Sequence, residues 1–293
     1  MNIYRTTQGS MSRLLTNTAS RLNSEIRRAE TQAITGLKLS RPSDGPADVA
    51  SALKLRGLIE DQAEYDSNVT RALSFHSRAD DALSQASEIF KRAKEIAVAG
   101  ASETYDATSR AAMAVEVASL VENLSAVANS RMGERYLFAG NDYDEPAFDA
   151  AFAYQGSTDT PETQIAVTTW TRTGMDGSEV FQGSVDAFSV LQDLETALLA
   201  NDPATVSAGI SDLDAAFNHL TSWRQRVGNE ENITLDAEET AGNISTILKD
   251  EFNNLVAIDE AETYTRLSEL QQSYTAAMTV GSASVSGRLF DLI

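Results

Sequence analysis

The chain has 293 residues, with 43 acidic against 23 basic side chains and a formal charge of −20. That balance argues against nucleic acid or an anionic membrane surface as a partner, because the phosphate contribution to such binding needs clustered Lys and Arg. There is no Cys and only His76 and His219, which excludes disulfides, thiolate metal sites and Cys nucleophiles and leaves little for imidazole chemistry.

Residues 3 to 37 place Ile3, Met11, Leu14, Leu15, Leu22, Ile26, Ile34 and Leu37 at helical spacing, which predicts an amphipathic first helix. This is the basic part of the chain, with seven basic and two acidic groups in residues 1–41. Met1-Asn2-Ile3-Tyr4-Arg5 lacks the apolar stretch of a secretory signal. Arg41-Pro42-Ser43-Asp44-Gly45-Pro46 breaks the helix; Ser43 or Asp44 can cap the next one, and Pro46 fits its first turn. From there Leu55, Leu58, Gln62, Tyr65, Val69, Ala72, His76, Ala79, Leu83, Ala86, Phe90, Ala93 and Ala97 alternate three and four apart. So sustained a heptad seam predicts one long helix from about 46 to 98, packed on other long helices. Gly100 to Ala107 reads as a turn, after which Met113, Val117, Leu120, Leu124 and Val127 predict a second helix, antiparallel because the connection is short. No run approaches eighteen apolar residues, so no segment is expected to span a bilayer.

The middle differs. Residues 133 to 183 hold six Gly, with Tyr136, Phe138, Tyr143, Phe148, Phe152, Tyr154, Trp170 and Phe181 between them. Ile165 to Arg172 has the β-branched composition of a strand and ends at a turn, Thr173 to Gly177. A small β-rich insertion is expected here. Val206, Ile210, Leu213, Phe217, Leu220 and Val227, then Ala241, Leu248 and Leu255, predict a long third helix. Gly228 and Gly242 each weaken it by about 1 kcal/mol relative to Ala, so an irregularity is expected near 228. Residues 229–262 carry ten acidic groups and one basic. This stretch and the basic first segment read either as solvated helix faces or as complementary surfaces between subunits. The last segment, 261–293, places Tyr264, Leu267, Tyr274, Ala277, Val285, Leu289 and Phe290 on one stripe. Isolated helices are marginal in water, so the two terminal stripes are expected to pair.

No catalytic constellation emerges. His76 sits in the seam beside Val69 and Leu83, and His219 beside Phe217 and Leu220; both read as structural. Asn141 to Glu145 lacks the spacing of an EF-hand, and no Lys-Ser/Thr follows Gly133 or Gly140 as a phosphate loop would require. The sequons at Asn68, Asn232 and Asn243 fall within predicted helices. No enzyme activity, metal or cofactor is expected.

Three segments carry a family resemblance. Thr35-Gly36-Leu37-Lys38-Leu39-Ser40-Arg41-Pro42-Ser43-Asp44-Gly45-Pro46 resembles the joint of the bacterial flagellin superfamily, with Pro42, Ser43 and Asp44 at its centre. Gly133-Glu134-Arg135-Tyr136-Leu137-Phe138-Ala139-Gly140, followed by Pro146-Ala147-Phe148, resembles the central signature of the superfamily's hook–filament junction branch, the hook-associated protein 3 family. The tail, Ser286 to Ile293 with Leu289 and Phe290, is similar to that family's end. Gly45, Gly287 and Arg288 depart from the family pattern.

The resemblance implies a mainly α fold: an elongated bundle of long antiparallel helices, with terminal coiled-coil helices and a small β-rich central insertion. It implies a terminal coiled-coil domain from 1–42 and 259–293, a helical rod domain from 43–132 and 186–258, and an outer region at 133–185. It further implies a structural adaptor between flagellar hook and filament, the alternative being flagellin itself. Ile3, Met11, Leu14, Leu15, Leu22, Ile26, Tyr264, Leu267, Tyr274, Leu289 and Phe290 would form the subunit interface. The implied partners are other copies in a ring, the first hook-associated junction protein, flagellin, and an export chaperone before secretion. The implied location is extracellular, in the flagellum, reached through the flagellar export apparatus without a cleaved signal peptide.

Overall fold

A computed structural model describes residues 3–39, 41 and 45–286, with side chains placed between 13 and 280. The elements in chain order are α1 (Ile3–Thr35), α2 (Pro46–Gly100), α3 (Ala107–Ala128), β1 (Arg131–Met132), β2 (Arg135–Tyr136), β3 (Glu162–Ala166), β4 (Thr169–Arg172), α4 (Gly177–Gln182), α5 (Ala187–Leu199), α6 (Pro203–Val256) and α7 (Glu260–Ser286). The protein is mainly α, as its heptad patterns predict, with two small antiparallel hairpins, β1–β2 and β3–β4. Five aspartates serve helix starts. Asp106, Asp176 and Asp186 cap α3, α4 and α5, and Asp202 and Asp259 accept from backbone N–H groups at the starts of α6 and α7. Each carboxylate meets N–H groups that the helix leaves unpaired, at its positive end.

The chain divides into two compact units, Met1–Glu60 with Thr246–Ile293, and Asp61–Ser245. In the larger unit the seam of α2 is buried through Phe75, Ala79, Leu83, Ala86, Phe90, Ala93 and Ala97. It meets Val117, Val121 and Leu124 of α3, Phe188, Leu191 and Leu198 of α5, and Leu213, Leu220 and Trp223 of α6 in one continuous core. The alanine side of α2 leaves room for that approach. Charged pairs lock the register from outside: Arg224 forks onto Asp80 at 2.7 and 3.0 Å, Lys94 meets Asp214, and Arg92 meets Glu116. Arg110 is buried at the other end of the core. It donates to the Gly100 and Ser102 carbonyls at 2.8 and 2.9 Å and to Asn201, so one side chain satisfies the end of α2 and ties it to the loop before α6.

Four expectations change. α6 runs unbroken through Gly228, because burial of Val227 and Thr234 on either side outweighs a penalty of about 1 kcal/mol. Residues 165–172 are not one strand: the chain reverses at Val167-Thr168, so Ile165 ends β3 and Trp170 belongs to β4. The 13-residue helix α5 adds a fourth long element to the core, announced by its Asp186 cap and by Phe188, Leu191, Leu194 and Leu198. Finally, α3 is apolar enough by length and composition to cross a bilayer. Its Ala114, Val117, Val121 and Leu124 face lies in the core, and Arg110, Glu116 and Glu122 interrupt the helix.

In the smaller unit α1 packs against α7. The pair is pinned where α1 ends and α7 begins. Lys38 N–H donates to the Val256 carbonyl at 2.7 Å, Ile258 N–H to the Gly36 carbonyl at 3.1 Å, and Leu37 bridges Ala257. Helices that touch along their length and meet at those ends must run antiparallel. The first turns of α2 and the last of α6 belong to the same unit and share a groove between Leu55, Leu58, Leu248 and Leu255.

Candidate assembly interface

A two-helix pair can bury one seam on each member. On α1 that seam is Leu15, Ala19, Leu22, Ile26, Ala29 and Ala33; on α7 it is Thr263, Leu267, Leu270, Tyr274 and Ala277, stepping four and three. Ala29 is fully buried and the others half-buried. Of the residues expected at a subunit interface, Leu15, Leu22, Ile26, Leu267 and Tyr274 therefore lie within or beside the intrachain seam. Leu14 and Tyr264 do not: they are 61% and 55% exposed. Ile34 is 85% exposed, and Met278 and Val280 are also solvent-facing. Met278 and Val280 escaped the sequence reading, although Met278 follows Ala277 directly and Val280 stands three residues after it. Ile3 and Met11 fall on the helical backbone of α1, with their side chains outside the described residues. Leu289, Phe290, Pro42, Ser43 and Asp44 also lie outside the described residues.

The central signature does different physical work. Gly133, in the left-handed region at φ +64°, turns the β1–β2 hairpin. Arg131 lies over the Tyr136 ring at 4.1 Å, and Arg135 over the Tyr143 ring at 3.5 Å. Leu137, Phe138 and Ala139 then pass through the core as an irregular segment bonded on both sides. Met175 N–H donates to the Leu137 carbonyl, Gly177 N–H to Phe138, and Ser157 N–H to Ala139, at 2.8–3.1 Å. Phe138 meets Phe181 edge-on at 5.1 Å, and Phe148 packs on Phe181, Phe188 and Tyr154. The Asn129 amide brackets Phe148, donating to its carbonyl and accepting its N–H at 3.0 and 2.9 Å. Gly140 ends the segment at φ +61°, where a Cβ would stand 1.9 Å from the Ser157 carbonyl oxygen. The signature is thus a hairpin followed by a bonded core segment that seats the outer loops on α3 and α5. Asn129, which the sequence reading passed over, is its clamp.

His76 is fully buried, with Nε2 3.0 Å from Thr171 Oγ1 of β4. Burial pushes its pKa down to about 4. His219 bonds Ser184 and the Glu179 carbonyl. Among the described residues no three His, Cys, Asp or Glu side chains are grouped to hold a metal ion.

Comparison with known proteins matches residues 6–142 to the bacterial flagellin N-terminal helical region. Over those residues the chain is similar to bacterial flagellins. Flagellin of Bacillus subtilis (strain 168) is 25% identical over 244 residues, 78% of this chain and 79% of the relative. Flagellar hook-associated protein 3 of Escherichia coli (strain K12) is 25% identical over 242 residues, 82% of this chain and 73% of the relative. The flagellin-like architecture recurs in solved structures. One, assigned as a flagellar hook-associated protein from Vibrio parahaemolyticus, superposes with a TM-score of 0.67 at 19% identity, covering 73% of this chain and 100% of the other. Flagellar hook-associated protein-3 from Legionella pneumophila gives 0.62 at 14% identity, covering 69% and 98%. At these identities the likeness establishes a common fold.

Proposed function

We propose that this flagellin-like chain is a structural adaptor that joins the flagellar hook to the filament, assembling as a short ring or tube segment through α1 and α7. The observation that carries the reading is the exposure of Leu14, Ile34, Tyr264, Met278 and Val280 on the α1–α7 pair, outside its half-buried seam. Large apolar side chains left exposed along a helix pair are available to a partner. The partners on this reading are neighbouring copies, the first hook-associated junction protein on one side and flagellin on the other, with an export chaperone holding the chain before secretion. Residues 1–42 and 259–293 act as the inner coiled-coil domain, 43–132 and 186–258 as the rod, and 133–185 as the outer region of the extracellular structure. The role is mechanical and needs no catalysis.

The test is deletion of the gene in its host, with imaging of the cell surface. Hooks without filaments, and flagellin lost to the medium, support the adaptor; normal filaments refute it. Relatives that are themselves flagellins support a second reading, in which the chain is the filament subunit. Copy number separates the two, since a short ring needs few subunits per flagellum and a filament thousands.

A further inference from the structure

The β3–β4 hairpin lies across α2 and α6 within the larger unit, and its attachment is small. Ile165 is its one fully buried apolar side chain, seated on Val69 and Ala72 with Leu73 and Ala237 alongside. Asn68 donates to the Gln164 carbonyl at 2.7 Å, Arg172 reaches Glu230 at 3.6 Å, and Thr234 Oγ1 stands 3.5 Å from Thr171 Oγ1. The remaining link is His76 to Thr171. The outer face of the hairpin, with Val167 and Trp170, is exposed. A cavity of about 170 Å³ opens beside His76, lined also by Phe75, Arg172, Trp223 and Glu230.

His76 is the weak point. Its ring is fully buried edge-on to Phe75, and Nδ1 is buried with no hydrogen-bond partner. A neutral imidazole tolerates this; an imidazolium would hold a proton on Nδ1 with nothing to accept it. We propose that the hairpin is an acid-released strap, with protonation of His76 freeing β3–β4 from α2 and α6 while the four-helix core stays folded.

The groups around it set the sign. Arg172 on β4 and Arg226 on α6 line the same cavity and disfavour a further cation. Asp176 and Glu179, at the start of α4, and Glu230 on α6 line it too. Asp80, one turn along α2, is tied to Arg224. Glu230 cannot be the trigger: burial holds its carboxyl above the usual range against the pull of Arg172, so its protonation favours the docked form. His76 works the other way. Its folded value is lowered, so attachment is full above the ordinary imidazole range and is lost as pH falls from about 6.5 toward 4.

The test is hydrogen exchange of the full chain between pH 7.5 and 5.0, corrected for the intrinsic exchange rate at each pH. With His76 at about 4 docked and 6.5 free, opening should rise by about 25-fold over that range. Residues 162–172 should lose protection by that factor while core segments of α2 and α3 keep theirs. His76→Gln should flatten the response, and Glu230→Gln should retain it. A wild-type hairpin with constant protection overturns the proposal, as does an equal loss in His76→Gln or a core that opens in step. Should His76→Gln misfold, wild-type NMR decides. The His76 ring must titrate together with hairpin opening, and a ring that titrates while the hairpin stays protected refutes the switch.

Discussion

Replacing Gly140 by Ala isolates the packing of the central signature, because two other glycines supply matched controls. At Gly140 a side chain meets two costs. The left-handed backbone at φ +61° costs an L-residue about 1–2 kcal/mol. The new Cβ also falls 1.9 Å from the Ser157 carbonyl oxygen and 2.8 Å from that of Asp159, both backbone atoms that cannot swing aside. Relieving the clash moves Ser157, which accepts from Tyr154 Oη at 2.8 Å and donates to Ala139 at 3.0 Å. Losing both bonds adds about 2 kcal/mol, for a sum of about 3–4 kcal/mol. Gly133 has nearly the same φ, +64°, but open space where Cβ would stand, so Gly133→Ala should cost only the backbone share. Gly228 is helical and equally open, so Gly228→Ala should stabilise α6 by up to about 1 kcal/mol. Both Trp, at 170 and 223, belong to the larger unit, so tryptophan emission during urea unfolding reports on it alone. At a slope of about 2 kcal/mol/M the Gly140→Ala midpoint should fall by about 1.5–2 M, Gly133→Ala by about 0.5–1 M, and Gly228→Ala should rise. Equal shifts for Gly140→Ala and Gly133→Ala would refute the claim that close packing on Ser157 demands glycine.

Three further outcomes are expected. Arg110→Met removes three donated bonds at a buried site and strands the Gly100 and Ser102 carbonyls, costing about 3–5 kcal/mol by urea unfolding; a cost under 1 kcal/mol would show that water replaces the guanidinium. Leu22→Asp places a carboxylate in the α1–α7 seam, so the secreted variant should leave hooks bare while the larger unit's urea midpoint by tryptophan emission hardly changes; normal filaments would refute the role of that seam. Hydrogen bonds from Thr205 and Ser109 hold the Asp202 and Asp106 carboxyls below their ordinary range. Their contribution is present above the unfolded carboxylate range near pH 4 and lost as pH falls through the lower folded values. Asp202→Ala should therefore lower the melting temperature at pH 7 and make little difference near pH 2.

The helices were legible because heptad repetition is redundant. Each of Val69, Ala72, His76, Ala79, Leu83, Ala86, Phe90, Ala93 and Ala97 repeats the same instruction, and all are buried. No such redundancy guides the middle. The reversal at Val167-Thr168 lacks Gly, Asn, Asp or Pro, so its β-branched run reads as one strand until Ile165 and Thr171 are seen facing the same helices. Helix α5 carried its signal in Asp186 and four spaced apolar residues, but at 13 residues it was masked by the longer patterns around it. The expected irregularity near Gly228 shows the opposite error: a propensity of about 1 kcal/mol is a weak prior beside burial of the residues flanking it.

The candidate interface illustrates why a stripe on a sequence does not say which partner covers it. Leu14 and Leu15 are adjacent and chemically identical, yet Leu15 turns toward α7 and Leu14 toward solvent. The same division separates Ala277, in the seam, from Met278 beside it. Periodicity defines an apolar arc, and the width of that arc decides how many neighbours it can serve. An arc confined to one seam is satisfied by one antiparallel helix. On α1 and α7 the arc is wider than one seam, so pairing leaves residues over. Full burial of a Leu, Ile or Met side chain contributes about 1.5–3 kcal/mol, and one such contact cannot offset the roughly 4–15 kcal/mol that association costs in lost freedom. Several contacts made together, as in the ring proposed above, can. Exposure of this kind is therefore compatible with a chain that stays single in dilute solution and adds readily to an end where neighbours are already held in place.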